Sequence, residues 1–477
     1  MTIRNTAQSI VDVIPTVRQP KKHVSFSQKI KWTVAILGLY FVMTNIPIFG
    51  LATNGGADAF GQFRSILAGG QGSILQLGIM PIVTASIVLQ ILTGTNVLKL
   101  DMNDPRDQNF FQGLRRALIY IMVFVNGFPI IFAGDFLPAS TQVASSFGVS
   151  ITAIQAIMFI QIAFGGIFLY YLDEVVTKWG VGSGLGLFII AGVSQRFVGG
   201  LFSQVIPGWI SIASGQEAIS FSRDTLNMLL LGNGYIIPVI TTVIIFSVIV
   251  YAESTRVEIP VSNTRVGNKG NYKIKLIYAS VLPIILVRAV QANVQFLGQG
   301  ISGYLGSNMP AWLGQYSADG QVFGGLFYYL TPIFTPEDWM WWLGFTSAEP
   351  LQIALRILVD LGFMVVGGAL FAVFWVKTTN RDAEAVAQQL HASNMAIPGF
   401  RRDSNQMSKV LDRYIPYVTI VGGALIGLLA VTTNMMGTIG AVNGTGLLLA
   451  VSITYQIYEE IAEEIATSAL SGKIGLD

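Results

Sequence analysis

Apolar residues along this chain come in long unbroken runs rather than in the interrupted stripes of surface helices. A bilayer core about 30 Å thick is spanned by roughly 20 mostly apolar residues in helical form. Ten stretches meet or approach that length: 31–49, 74–95, 114–133, 151–172, 184–205, 234–252, 276–298, 351–376, 415–433 and 446–468. The fifth is broken by glycine and Arg196, and the tenth ends in an acidic tail. A further apolar patch, DAFGQFRSILAG at 58–69, is too short to span and predicts only a few helical turns. The pattern therefore predicts an all-α polytopic membrane protein.

Polar positions between the runs set the orientation. On the side that holds the N-terminus, 23 of the 28 basic residues collect, and the opposite segment 299–349 has none, so both termini are expected in the cytosol. An even number of spans requires the same. Ten also divides into two groups of five, and an odd group size inverts the second relative to the first. The expected organisation is an N-terminal half at 1–205, an external hinge at 206–233 and a C-terminal half at 234–477.

Composition narrows the function classes. With 52% hydrophobic and only 11% charged residues, and a mean hydropathy of +0.60, much of the surface must be covered by lipid. Cysteine is absent, so thiolate metal sites and a Cys nucleophile are excluded. His23 and His391 both lie in polar stretches, and no metal or cofactor is expected. Residues 1–30 are polar and basic, unlike a cleavable signal peptide. The net charge of +2 is too small to imply a nucleic-acid partner by itself.

Ionisable groups inside the spans are few: Arg288, Arg356 and Asp360. Arg356 and Asp360 are four apart and read as an ion pair on one helix face. Depth offers a second reading. Arg288 lies about 18 Å in from the cytosolic end of its span and Asp360 about 14 Å in from the opposite end of the next, so the two can bridge those helices. Asp173 and Glu174 fall at a helix end, where water is expected to reach them.

Two cytosolic loops are strongly basic. ESTRVEIPVSNTRVGNKGNYKIK at 253–275 alternates Val and Ile around a turn and predicts a β-hairpin. The loop 377–414 holds Arg401 and Arg402 after an Ile-Pro-Gly turn. These charges either fix topology or form a docking surface for an anionic partner. Glycine-rich runs at 180–188, 422–427 and 443–449 fit close helix packing or the flexible wall of a pore, and periodicity leaves both open.

Four long motifs carry a resemblance: YLDEVVTKWGVGSGLGLFIIAGVSQ at 171–195, GIMPIVTASIVLQIL at 78–92, YAESTRVEIPVS at 251–262 and NGTGLLLAVSITYQIYE at 443–459. Together with ten spans in the same order, they resemble the SecY family over essentially the whole chain, in wording nearest the archaeal and eukaryotic members. The resemblance implies a protein-conducting channel between two halves, opening across the membrane for secreted chains and sideways into lipid for membrane segments. It implies a non-enzyme, driven by a translating ribosome or a cytosolic motor and accompanied by SecE and a small β subunit. The pore ring would be Ile79, Val83, Leu185, Ile189, Ile285 and Leu449. The patch 58–69 sits where the family has its plug, with Phe60, Phe63 and Ile66 on roughly one face. Thr84, Asn126 and Asn293 match the lateral gate, and Arg288 and Asp360 lie on gate helices. Arg256, Arg265, Lys269, Arg401 and Arg402 fall in the docking loops. Trp339, Trp341 and Trp342 suggest an interfacial anchor.

A small-solute transporter and a non-conducting scaffold remain as alternatives. Scarce intramembrane carboxylates weigh against the first, and a short sealing segment beside an aliphatic constriction weighs against the second.

Overall fold

The computed structural model describes residues 14–22, 24–52, 61–95, 97–98, 100, 104–132, 137–214, 236–263, 269–277, 279, 281–317, 321–344, 346, 348–392, 395–396, 404–440 and 442–474. Among them the long helices are α1 Phe26–Thr44, α3 Met80–Gly94, α4 Pro105–Phe132, α6 Ile151–Trp179, α7 Gly184–Gly200, α9 Ile236–Ser254, α10 Leu282–Leu305, α12 Pro350–Thr378, α15 Ile415–Met436 and α16 Gly444–Ile474. Shorter ones are α2 Arg64–Leu67, α5 Thr141–Phe147, α8 Ile206–Ala213, α11 Leu326–Leu330, α13 Ala383–Ala392 and α14 Ser404–Leu411. Each of the ten long helices overlaps one of the ten apolar runs. Six helical stretches are long and apolar enough to cross a bilayer by those measures alone. The others fall short for identifiable reasons: Lys29 and Lys31 open α1, α3 has only 15 residues, α10 carries Arg288, Gln291, Asn293 and Gln295, and α16 ends in glutamates.

Helix starts follow ordinary capping chemistry. Ser150 caps α6 by accepting from Ala153 N at 3.3 Å, and Ser183 caps α7 through Gly186 N at 3.2 Å. Proline stands in the first turn of α10, α12 and α15, where its missing N–H costs nothing.

The fifth helix runs past the expected boundary at 205. A π-helical turn, Leu201–Val205, leads without interruption into α8, so the N-terminal half reaches at least Ala213. The wide turn lies immediately before Pro207 and lets the helix accommodate a residue that cannot donate. Most of the expected hinge, 215–233, lies outside the described residues.

The hairpin forms as expected. β1 Arg256–Asn263 pairs antiparallel with β2 Lys269–Lys275, with Val257 opposite Ile274, and a short β5, Met395–Ala396, adds to the free edge of β1. That third strand, with α13 and α14, gives the second basic loop a folded body. Ile274 from the hairpin is buried with Trp375, Val386, Leu390, Met407 and Leu411. A second small sheet pairs β3 Gln315–Tyr316 with β4 Val322–Gly324.

Helices α1, α3, α4, α6 and α7 pack together, as do α9, α10, α12, α15 and α16. The groups meet along two seams: α3 against α10 and α12, and α7 against α16. One apolar core crosses between them, joining Ile79, Val83 and Ile189 to Ile285, Leu286, Leu448 and Leu449. The glycine runs serve packing. A Cβ on Gly368 would stand 2.5 Å from the Gly423 carbonyl, and one on Gly186 would stand 2.7 Å from Ile453. Those glycines let α12 touch α15 at backbone distance, and make room on α7 for the Ile453 side chain of α16.

Candidate functional site

The six candidate ring residues come from both halves. Ile79 precedes α3 and Val83 lies within it. Leu185 and Ile189 stand one turn apart on α7, Ile285 is in the first turn of α10, and Leu449 is near the start of α16. Five are buried to 3% exposure or less, and Leu185 is partly buried against the same core. Ile79, Val83, Leu185 and Ile285 also line a cavity of about 260 Å³ that extends past Ser86, Gln90, Arg115 and Thr378. These lining groups belong to the C-terminal ends of α3 and α12 and the N-terminal portion of α4, where the flanking basic residues lie. The cavity lining is mixed, with aliphatic Ile79, Val83, Leu185 and Ile285 beside polar Ser86, Gln90, Arg115 and Thr378.

Asp173 helps position Leu185 in this lining. Its buried carboxylate Oδ1 accepts from Leu185 N at 2.8 Å, and a Cβ on Gly184 would stand 2.5 Å from its Cα. Asp173 is 8% exposed, less open to water than expected, because the α6–α7 turn folds back onto it. Glu174 instead meets Lys178 Nζ at 2.7 Å and Val17 N at 3.1 Å.

At the N-terminal end of α3, the short segment begins as a 3₁₀ turn, Gly61–Phe63, and continues as α2. Phe60 lies outside the described residues. Phe63 and Ile66 are both buried but do not share one neighbour set. Ile66 joins the core that contains the ring, whereas Phe63 packs with Ile48, Met80, Phe296 and Phe334. Several bonds tether the segment: Ile79 N donates to Leu67 O at 2.8 Å, Tyr40 Oη to Ala68 O at 2.9 Å, and Arg196 Nη2 to Gly69 O at 3.4 Å. Ala68 takes φ +53°, a left-handed stop that ends the helix after one turn. Tyr40 carried no sequence signal as a tether, and Arg196 stood out only as an interruption of the fifth span.

Across the first seam, Asn293 Nδ2 on α10 donates to Thr84 Oγ1 on α3 at 3.3 Å, and more closely to its own Ala289 O at 2.8 Å. Asn126 does not complete this set. It is 3% exposed on α4, and its Nδ2 has no hydrogen-bond partner among the described residues.

Arg288 and Asp360 are brought together. Arg288 Nη1 lies 3.2 Å from Asp360 Oδ1, with both side chains buried. Gln291 completes a triangle, accepting from Arg288 Nη1 at 2.7 Å and donating to Asp360 Oδ1 at 2.9 Å. Both helices lie on the same side of the seam, so the pair binds α10 to α12 rather than crossing to α3. Arg356 does not pair with Asp360. It donates to Thr331 O at 2.9 Å and Pro332 O at 2.8 Å, and stands 3.8 Å from Asp338. Gln291 was missed in the sequence, although its place three residues after Arg288 put it on the same helix face.

Of the candidate docking residues, Arg256 is 38% exposed and pairs with Glu459 on α16 at 2.7 Å. Lys275 pairs with the other oxygen of the same carboxylate. Lys269 stands in β2 opposite Ser262, while Arg265, Arg401 and Arg402 lie outside the described residues. Farther along α16, Glu464 meets Lys29 of α1 at 2.7 Å. Thus the acidic end of α16 touches both halves.

Comparison with known proteins bears on this geometry. A family model described as SecY matches residues 73–458, and one described as the plug domain of Sec61p matches 39–72. The protein translocase subunit SecY of Haloferax volcanii is 56% identical over 473 residues, covering 97% of this chain and 96% of its own. A solved structure described as that of a protein conducting channel has a TM-score of 0.79 at 35% identity, over 95% of this chain and 96% of its own. Sec61 from a canine ribosome–channel complex of the endoplasmic reticulum gives 0.76 at 35% identity over the same shares.

Proposed function

The chain belongs to the SecY family, and from that premise we propose that it is the pore-forming subunit of a protein-conducting channel. It passes unfolded secretory polypeptides across the membrane and releases apolar segments sideways into lipid. One observation carries the reading: aliphatic side chains from both halves meet in one core beside this cavity, and a one-turn helix hydrogen-bonds to that closure from its other side. A narrow apolar ring excludes hydrated ions by dewetting, yet offers a passing chain no polar group to hold it. Ile79, Val83, Leu185, Ile189, Ile285 and Leu449 form that ring, and Ile66 of the plug seats against it while Phe63 packs beside Met80 and Phe334.

The seam of α3 with α10 and α12 is the lateral gate. The Asn293 to Thr84 hydrogen bond, 3.3 Å long, crosses it. An incoming apolar helix replaces the other contacts with equivalent ones, so opening is inexpensive. By contrast, α12 and α15 touch through glycine backbones and move as one body.

Charge placement supports cytosolic termini and cytosolic basic loops. Arg256, Arg265, Lys269, Arg401 and Arg402 are the docking groups for a translating ribosome or a motor. That partner supplies the energy, and the subunit itself catalyses no reaction. Partner helices are expected too. An apolar groove of about 680 Å³ between α7, α9 and α16, lined by Val193, Phe197, Phe246, Val250 and Val451, has the character to seat one transmembrane helix, as SecE would supply. Solute transport is less well supported, because Asp360 is already engaged by Arg288, Gln291 and Ile333 N, leaving no open carboxylate there for a coupling ion.

The test is ion conductance of the purified complex in planar bilayers, with and without residues 58–69, alongside translocation into proteoliposomes. A silent intact channel and a leaky deletion, both able to translocate, support a plugged pore. If both stay silent while translocation persists, the plug assignment falls.

A further inference from the structure

The external stretch between α11 and α12 is held at nearly every residue from 331 to 335. Thr331 Oγ1 donates to Gln295 Oε1 at 3.0 Å, and the Thr331 and Pro332 carbonyls accept from Arg356. Ile333 N donates to Asp360 Oδ2 at 3.3 Å, while Phe334 N and Thr335 N donate to Asp338 Oδ2 at 3.0 and 3.1 Å. These bonds pair the polar backbone groups of an irregular stretch and fix its path. What this stretch presents is the Phe334 ring, 3% exposed, with its centroid 5.0 Å from that of Phe63 and the planes at 84°. From another direction the Arg288 guanidinium carbon lies 5.6 Å from the centre of the same ring.

Phe334 thus stands between the short sealing helix and the buried Arg288–Asp360–Gln291 triangle. We propose that Phe334 is the seat that retains the plug, and that Arg288, Asp360 and Gln291 are positioning residues that hold the seat. The proposal rests on the plugged-channel reading and extends it to a second part of the chain. An edge-to-face pair gains from the opposed charge of ring edge and ring face, and that gain vanishes once the rings separate. The triangle ties this contact to gate motion. Arg288 lies three residues after ring residue Ile285 and five before gate residue Asn293, on one helix. Asp360 lies on its neighbour α12, which also faces α3. Movement of α10 and α12 away from α3 therefore carries the triangle, Ile333 and Phe334 away from a plug that is hydrogen-bonded to Ile79, Tyr40 and Arg196 on the other side. The seat is released as the gate helices move.

The test compares resting conductance of the reconstituted complex for the intact chain, Phe334→Ala, Phe63→Ala, Asp360→Asn, the 58–69 deletion, and Phe334→Ala combined with the deletion. Translocation of a secretory substrate verifies assembly of each. Phe334→Ala and Phe63→Ala should each raise resting open probability roughly threefold to tenfold, the range an aromatic pair supports. Asp360→Asn should raise it by less, and Phe334→Leu should recover part of the seal. The decisive outcome is non-additivity: with the plug deleted, Phe334→Ala should add nothing. A silent Phe334→Ala beside a leaky deletion overturns the seat while leaving the plugged channel standing. A leak that adds to that of the deletion overturns it also, because Phe334 then acts elsewhere. A silent deletion removes the plug reading itself. Should Phe334→Ala fail to assemble, Phe63→Ala decides from the other side of the contact.

Discussion

Removing the Asp360 carboxylate isolates a guanidinium in the most enclosed part of the C-terminal half. Arg288 is 0% exposed, and among the described residues its Nε and Nη2 have no hydrogen-bond partner, while Nη1 makes two bonds. Nη1 donates to Asp360 and to Gln291, and Asp360→Ala leaves only the amide. Two further donors, Gln291 Nε2 and Ile333 N, lose their acceptor at the same time. Breaking a buried pair by deleting one partner costs about 3–5 kcal/mol, chiefly through the charge left behind. In the folding equilibrium that is roughly a hundredfold to several thousandfold. Replacing both partners by apolar residues of similar volume, Arg288→Met with Asp360→Leu, removes the stranded charge and should restore most of the loss. Asp360→Asn should fall between, since its carbonyl still accepts from one donor. The assay is reversible denaturant unfolding in bicelles, run as a double-mutant cycle with thermal inactivation as a second measure. Either of two results would refute the reasoning: Asp360→Ala within about 1 kcal/mol of the parent, or the double variant as unstable as the single one.

Other sites give sharper readouts of function. Asn293→Ala removes the hydrogen bond to Thr84, and interhelical bonds of this kind average about 0.6 kcal/mol in membranes. The gate should open roughly threefold more readily, seen as better translocation of substrates with weakened signal segments; unchanged selectivity would count against the Thr84 contact. Glu459→Gln frees Arg256 and Lys275 from their shared carboxylate. Because Arg256 is 38% exposed, the pair is worth at most about 1 kcal/mol. Ribosome binding at low salt should tighten by up to about fivefold, and weaker binding would contradict the docking role of Arg256. Gly427→Ala drives a methyl group onto the Met364 carbonyl at the α12–α15 contact. Overpacking there should cost about 1–3 kcal/mol in the same unfolding assay, with conductance unaltered if those helices move together.

How much of this was legible in the sequence depends on the range of the interaction behind each feature. Hydropathy is a property of consecutive residues, and it located every long helix to within several positions. It failed at ends decided by local geometry. Residues 74–79 are apolar but form turns, and 276, 277, 279 and 281 are not helical, so α3 and α10 begin at Met80 and Leu282. The helical rise counted to Arg288 was too long for that reason. The fifth span was expected to end at 205, although a π turn carries the helix on through Pro207. In the loop 377–414, α13 and α14 were hidden because short amphipathic helices need the buried face that Ile274 and Trp375 supply.

Side-chain partners were legible only where a second constraint accompanied composition. Depth in the bilayer singled out Arg288 and Asp360, whereas four-residue spacing alone favoured Arg356, whose true acceptors are carbonyls in a loop that no periodicity describes. The same limit explains Asp173. Polar at a helix end, it reads as solvated, and only the return of the chain through Gly184 turns it into a cap on Leu185. Phe334 had no signal at all, being one aromatic residue in an external segment rich in them. Its meaning comes from Phe63, far away in the chain, and from a hydrogen-bonded frame that fixes its backbone from three directions. Sealing a pore that must reopen requires contacts of this kind. They join segments that separate when the halves move, so they cannot be built from neighbours in sequence.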